Sequence, residues 1–257
     1  MLEKIDIDEI LDIAGRAGKA TLDIYRHGFH VEWKKDHSPI TEADKNSNKI
    51  IIEGLIKHYP KIPYISEETK QVPYEERRYW SHFWLIDPLD GTKEFIKRNG
   101  EFTINIALIE DQSPVLGVIY VPVKETFYFA QKGKGSFKIV NESTPQAIRA
   151  SLKTDPKKLI IAGSRSHGAE ALKAYIEKQK TKFKEVQVLS AGSSLKFCLV
   201  AEGKADVYPR TGPTFEWDTA AGHAIVLESG KAVYEFESGK PLLYNKENLL
   251  NSWFIVR

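Results

Sequence analysis

The sequence predicts an α/β fold of the layered α+β kind, and three observations predict it. Two helical patterns open the chain, several short extended apolar runs follow, and the stretch beyond residue 150 alternates strand with helix.

The first helix is expected from Asp6 and Glu9, which have capping spacing, and from an inward face recurring at Ile10, Ile13, Ala14, Ala17, Thr21 and Ile24. A second begins near Thr41, presents Ala43, Ile50, Ile51, Leu55 and Ile56, and is stopped by Pro60. From Tyr64 the pattern turns extended, with runs at 83–86, 103–109, 115–121 and 126–130 that predict an antiparallel meander ending near Gly133 and Gly135. Beyond it come an apolar run at 159–162, a helix near 169–179, a strand at 186–189, a helix near 194–201, a strand at 205–208 and a helix at 217–228. The expected division is into residues 1–150 and 151–257, with no low-complexity linker between them, so the halves should share a core and a cleft.

Charge and composition exclude whole function classes. Lys and Arg total 37 against 35 Asp and Glu, a balance with no global field for a nucleic-acid backbone, so nucleic acid is not an expected partner. The basic stretches 153–158 and 178–182 read as solvated surface. No apolar stretch reaches the ~20 residues of a membrane-spanning helix, and mean hydropathy is negative. The start, Met1-Leu2-Glu3-Lys4-Ile5-Asp6, lacks the basic and apolar regions of a secretory signal. The single cysteine, Cys198, lies in an apolar run and is expected as a buried thiol in a reducing compartment. A cytoplasmic location is therefore expected, with loose peripheral attachment at the inner membrane left open, and nothing in the sequence sets an oligomeric state.

The most informative segment is Trp84-Leu85-Ile86-Asp87-Pro88-Leu89-Asp90-Gly91-Thr92-Lys93-Glu94-Phe95. An apolar strand ends in two carboxylates, Pro88 forces a sharp exit, and Gly91 allows close backbone approach before a helical turn. Two acids so near one another repel, so an ionised pair requires a cation or a shared proton. Oxygen-only ligands without Cys or His favour magnesium over zinc, and the amides of Gly91 and Thr92 are placed to hold phosphate oxygens. A calcium loop is excluded, because Ile86 and Pro88 stand where acids belong and Lys97 where its closing glutamate would be. Phosphatases that form an aspartyl-phosphate carry, as a family feature, two aspartates one residue apart, whereas Asp87 and Asp90 are separated by two residues. The bland alternative is a plain turn, since Asp-Pro and Asp-Gly favour one.

In Ile65-Ser66-Glu67-Glu68, in Asp87-Pro88-Leu89-Asp90-Gly91-Thr92 and in Glu216-Trp217-Asp218-Thr219-Ala220-Ala221-Gly222, the chain resembles the inositol monophosphatase superfamily of lithium-sensitive, magnesium-dependent phosphatases. Within it, Ser38-Pro39-Ile40-Thr41-Glu42-Ala43-Asp44, the segment from Gly91 to Thr103 and Ser193-Ser194-Leu195-Lys196-Phe197 are most similar to bacterial 3'(2'),5'-bisphosphate nucleotidases.

The resemblance implies a layered αβαβα sandwich. It implies that Glu67, Asp87 and the Leu89 carbonyl hold one magnesium, that Asp87, Asp90 and Asp218 hold a second, and that Glu68 supports a third through water. Thr92, with Asp44 behind it, would position the attacking water beside the catalytic Glu67. The substrate would meet Glu67, Leu89, Asp90, Gly91, Thr92 and Asp218 at its scissile end, and Lys196, Arg210 and His167 beyond it.

The implied activity is hydrolysis of adenosine 3',5'-bisphosphate, or its sulfated precursor, to the 5'-phosphate compound and phosphate, in sulfur metabolism. An inositol or sugar phosphatase, and a non-catalytic metabolite-binding regulator, are the alternatives. Individual residues have structural readings as well: Thr41 and Asp44 have helix-cap spacing, Glu67-Glu68 could be a surface pair, Asp218 could serve a helix start, and a lone His167 is more often structural or exposed.

Overall fold

The computed structural model describes residues 2–34, 39–151, 155–163 and 169–257. Helix α1 (Ile7–His27) starts where Asp6 Oδ1 accepts the amide of Asp8 at 3.0 Å. Its buried residues Ile10, Ile13, Ala14 and Ala17 keep helical spacing. Two short strands, β1 (Val31–Trp33) and β2 (Pro39–Thr41), pair antiparallel and lead into α2 (Glu42–His58), which Thr41 caps. Then come β3 (Tyr64–Ser66), a single turn α3 (Tyr74–Arg77), β4 (His82–Asp90) and a short α4 (Thr92–Ile96). The meander continues through β5 (Thr103–Glu110), β6 (Ser113–Val121), β7 (Thr126–Gln131), β8 (Gly135–Val140) and β9 (Gln146–Ile148).

These strands form a seven-stranded sheet in the order β3 to β9, with β3 parallel to β4 and all later neighbours antiparallel. The meander is therefore longer than the sequence suggested. Gly133 and Gly135 do not end it; they take the left-handed φ values, 79° and 90°, that turn β7 back into β8.

The remaining chain forms β10 (Lys158–Gly163), α5 (Ala169–Lys180), β11 (Glu185–Ser190), α6 (Leu195–Ala201), β12 (Tyr208–Arg210), α7 (Glu216–Ser229), β13 (Val233–Glu235) and β14 (Phe254–Val256). Strands β10 and β11 run parallel, while β14 pairs antiparallel between β12 and β13. The strand expected at 205–208 starts later. Val207 makes only an isolated bridge to Ile161, and the ladder begins at Tyr208 because β14 supplies its partner.

Five layers result, in the sense αβαβα: α1 and α2, the large sheet, α6 and α7, the smaller strands, and α5. Because side chains alternate along a strand, Trp84, Ile86, Ile104, Ile106 and Leu108 face the α1–α2 layer, while Phe83, Leu85, Ala107 and Ile109 face α7. Covering both faces explains why β4 and β5 read as unbroken apolar runs, each fully buried large side chain contributing about 1.5–3 kcal/mol. The α7-side core joins residues from both sides of position 150, from Ile65 to Val256, and contains the free, buried Cys198.

One glycine governs how near α7 lies. A Cβ on Gly117 of β6 would stand 2.4 Å from the carbonyl oxygen of Ala221 and 2.9 Å from its Cα, so the helix rests directly on the strand backbone. No helix among the described residues is long and apolar enough to cross a membrane.

Candidate active site

The site lies where β4 leaves the sheet. Asp87 pairs with Asn105 and Asp90 with Thr103, and the register shifts between the two acids. Pro88 has no amide to continue the ladder, so the bulge falls there and both carboxylates turn into one space. Asp87 shares its face with Phe83 and Leu85, which is the α7 face. The first turn of α7 brings Asp218, and the turn after β3 brings Glu67. Glu67, Asp87 and Asp218 each place one carboxylate oxygen within 4.8 Å of the others.

The acids of this cluster repel one another in a buried setting. Burial, reinforced by Glu67, Asp90 and Asp218, holds the Asp87 carboxyl well above the usual carboxylate range. Burial and repulsion from Asp90 and Glu67 do the same to Asp218, whose Oδ2 accepts the Phe215 amide at 2.9 Å. Lys34 reaches in from the loop after β1, its Nζ 2.9 Å from Glu67 Oε1 and 2.6 Å from Glu68 Oε1. Burial alone would lower its pKa, but the two carboxylates outweigh that and raise it. Glu68 is pushed up to about 7 by burial, against the hydrogen bond from Lys34.

Asp90 is held differently. Its Oδ2 accepts Ser194 Oγ at 2.7 Å and lies 3.4 Å from Asn105 Nδ2, while no hydrogen bond reaches its Oδ1 among the described residues. Asp44 serves two structures at once. Its Oδ2 accepts the Thr41 amide at 2.7 Å and the Thr41 hydroxyl at 2.6 Å, closing the cap of α2, and its Oδ1 accepts the Thr92 hydroxyl at 3.1 Å. The helix-cap reading of Asp44 and its place behind Thr92 are therefore compatible. Burial raises its pKa, opposed by the bonds from Thr41 and Thr92.

Leu89 donates its amide to Asp87 Oδ1 at 3.1 Å, and its carbonyl lies 3.4 Å from Thr92 Oγ1. Gly91, at φ 91°, begins α4; a Cβ there would stand 2.1 Å from Ser193 Oγ, so only glycine suits the position.

These residues border a cleft of about 390 Å³, lined by Glu67, Asp87, Leu89, Asp90, Gly91, Thr92 and Asp218 and, on its far side, by Lys196, Arg210 and Phe215. Lys196 stands on α6, buried, rather than on a loop, and its Nζ donates to the carbonyls of Ser193 at 2.6 Å and Ala191 at 3.1 Å. Burial lowers its pKa to about 8, Asp90 opposing and Arg210 reinforcing the shift. Arg210 ends β12; its Nη2 donates to the Pro213 carbonyl at 2.9 Å, and its buried Nε has no partner among the described residues. His167 lies outside the described residues.

The model of the inositol monophosphatase family matches residues 5–253. The chain belongs to the inositol monophosphatase family. Within that family it is similar to the 3'(2'),5'-bisphosphate nucleotidase CysQ of Salmonella typhimurium, at 45% identity over 97% of this chain and 98% of the relative. The CysQ nucleotidase of Escherichia coli K12 is 44% identical over the same shares. Among solved structures, CysQ from Bacteroides thetaiotaomicron, described as a bacterial member of the family, superposes with a TM-score of 0.85 at 45% identity, covering 97% of this chain and 95% of that one.

The sequence reading missed Lys34 and Asn105, and it met Glu101 only within the segment from Gly91 to Thr103. Lys34 lies 33 positions from Glu67 and has no local signal. Glu101 fixes the loop before α6, where its Oε2 accepts the Gly192 amide at 2.8 Å. Ser193 and Ser194 stood within a recognised segment, but their contacts with Asp90 come only from the fold.

Proposed function

We propose that this chain is a magnesium-dependent 3'(2'),5'-bisphosphate nucleotidase of the cytoplasm, converting adenosine 3',5'-bisphosphate to AMP and phosphate within sulfur metabolism. The observation that carries the reading is the convergence of Glu67, Asp87 and Asp218 oxygens within 4.8 Å, in a chain matching the CysQ nucleotidases over nearly its whole length.

The residues fit the ion. Every donor is a hard oxygen, and the mutual repulsion that raises Asp87 and Asp218 is what a divalent cation relieves. Glu67, Asp87 and the Leu89 carbonyl would hold one magnesium; Asp87, Asp90 and Asp218 would hold another; Glu68 would support a third through water. When bound, magnesium supplies Lewis acidity toward water and the phosphoryl oxygens.

The chain itself orients the reactants. With the Thr92 hydroxyl proton directed at Asp44 Oδ1, its lone pairs are left to accept from a water in the cleft, and Asp44 stands ready to receive a proton through Thr92. The amides of Gly91 and Thr92 are the donors for phosphoryl oxygens. On the far side, the Arg210 guanidinium and the third hydrogen of the Lys196 ammonium are the groups left for a second phosphate or the nucleoside. Residues 1–150 thus act as the metal-binding half and 151–257 as the substrate half, which adds Asp218 to the metals.

A phosphate-release assay with magnesium tests the reading, comparing adenosine 3',5'-bisphosphate with inositol 1-phosphate, with and without lithium. The bisphosphate should be preferred and lithium should inhibit well below the concentrations at which sodium does. Preference for inositol 1-phosphate would replace this reading with an inositol or sugar phosphatase, and no turnover of any ester would leave a metabolite-binding regulator.

A further inference from the structure

We propose that Ser194 and Asn105 are positioning residues that fix which oxygen of Asp90 faces the metals, an inference that rests on the magnesium-dependent reading above. Asp90 ends its strand at a bulge, and the terminal torsion of an aspartate is broad and nearly two-fold, so its own rotamer does not choose between the two oxygens. The choice is made from outside.

Ser194 stands at the start of α6, yet its hydroxyl does not cap that helix; it lies 2.7 Å from Asp90 Oδ2 instead. Asn105, on the strand next to Asp90's, places Nδ2 2.8 Å from Ser194 Oγ. A hydroxyl has one proton and two lone pairs. Once Asn105 donates to one lone pair, the Ser194 proton points toward an acceptor, and Asp90 Oδ2 is the nearest, with the Asp218 carbonyl 3.0 Å away. Ser194 and Asn105 are 2% and 1% exposed, so water does not compete for these bonds. Oδ2 is thus engaged from the protein side, and among the described residues Oδ1 is left without a protein donor, for the cleft.

The bracket is itself anchored. Ser193 Oγ lies 2.8 Å from the Asp90 carbonyl and 2.6 Å from that of Glu101, so the serine loop cannot drift relative to the end of β4. Ser194 therefore sits between the Asp90 carboxylate and the backbone of Asp218, two of the three residues assigned to the second ion.

Outer hydrogen-bond partners of this kind set metal affinity by about 10- to 100-fold. The test is titration calorimetry with magnesium alone on wild type, Ser194→Ala, Ser194→Thr and Asn105→Ala, followed by turnover across magnesium concentrations. Ser194→Ala should weaken one class of magnesium sites by about 10- to 100-fold and leave the substrate KM unchanged at saturating magnesium, while the metal-free melting temperature falls modestly because Asn105 Nδ2 loses a buried acceptor. Ser194→Thr should restore most of the affinity, and Asn105→Ala should shift it in the same direction as Ser194→Ala. Unaltered magnesium affinity in Ser194→Ala beside a wild type that binds normally overturns the inference alone. A wild type that binds no magnesium overturns the reading beneath it.

Discussion

The hydroxyl of Thr92 donates to Oδ1 of Asp44 across 3.1 Å, joining the residue behind the β4 bulge to the capping box of a helix 48 positions earlier. The same carboxylate both caps α2 and orients the hydroxyl proposed to position the attacking water. Asp44→Asn keeps one acceptor oxygen but turns an amide on either Thr41 or Thr92. Turnover is expected to fall by about 10²- to 10⁴-fold, with stability lower by about 0.5–2 kcal/mol. Thr92→Ala should lose turnover with little change in stability. Initial rates and thermal melts on both variants check this, and equal stability losses in the two would assign the contact to folding alone.

Metal removal and charge removal should oppose one another at Asp218. Asp218→Asn keeps an acceptor for the Phe215 amide and loses the favourable charge at the start of α7, worth about 0.3–1 kcal/mol. It also relieves the repulsion with Asp90 and Glu67, in a buried setting where that repulsion is stronger. The metal-free variant is therefore expected to melt at or above the wild-type temperature, while the rise produced by magnesium disappears. Melting curves with magnesium and with chelator decide it.

Specificity should reside in Arg210. Its tether to the Pro213 carbonyl fixes the guanidinium at the cleft, and remote contacts of this type raise reactivity at the scissile bond. Arg210→Ala is expected to lower kcat/KM for adenosine 3',5'-bisphosphate by about 1.5–3 kcal/mol while barely changing hydrolysis of a simple phosphate ester. Equal losses on both substrates would make Arg210 structural.

Acid should weaken the fold through His223. Burial lowers its pKa to about 3, and its Nδ1 lies 3.0 Å from the Tyr244 hydroxyl, which in turn lies 3.3 Å from Thr219 Oγ1. The unfolded chain takes up this proton near pH 6.5, whereas the folded chain resists until about pH 3. Stability from this group is complete above the unfolded value and is lost as pH falls, by about 1.4 kcal/mol per unit through that window. The raised carboxyls of Asp87 and Asp218 act in the opposite sense in metal-free protein, so the measurement is a difference. Denaturant midpoints of wild type and His223→Gln across pH 3 to 7 should diverge at the alkaline end and converge in acid.

What the sequence made legible was local. The buried run before Asp87, the Pro88 break and the Thr41–Asp44 cap are each written within a few consecutive residues, and each is found in place. What it hid was long-range. Strands β13 and β14 have three residues each, too few to show a period, and exist because they pair across the chain. Gly135 suggested an ending because a left-handed glycine serves a hairpin as well as a terminus. Asn105 and Ser194 are 89 positions apart, and no spacing rule joins them. Lys34 carried no sign of its carboxylate partners because charge alone does not say what a lysine faces.

The seat of α7 on Gly117 gives the chemistry a dependence that no inventory of ligands contains. A methyl group at this one backbone position would press on the carbonyl of Ala221 and lift the helix that carries Asp218, three residues before it, away from the strand that carries Asp87. A descendant of this gene with alanine at 117 would retain each carboxylate, each serine and the arginine, and would be scored intact by any comparison of catalytic residues. Its carboxylate cluster would nonetheless be spaced wrongly, so loss of activity in such a lineage would originate in the hydrophobic core and precede any change in the site itself.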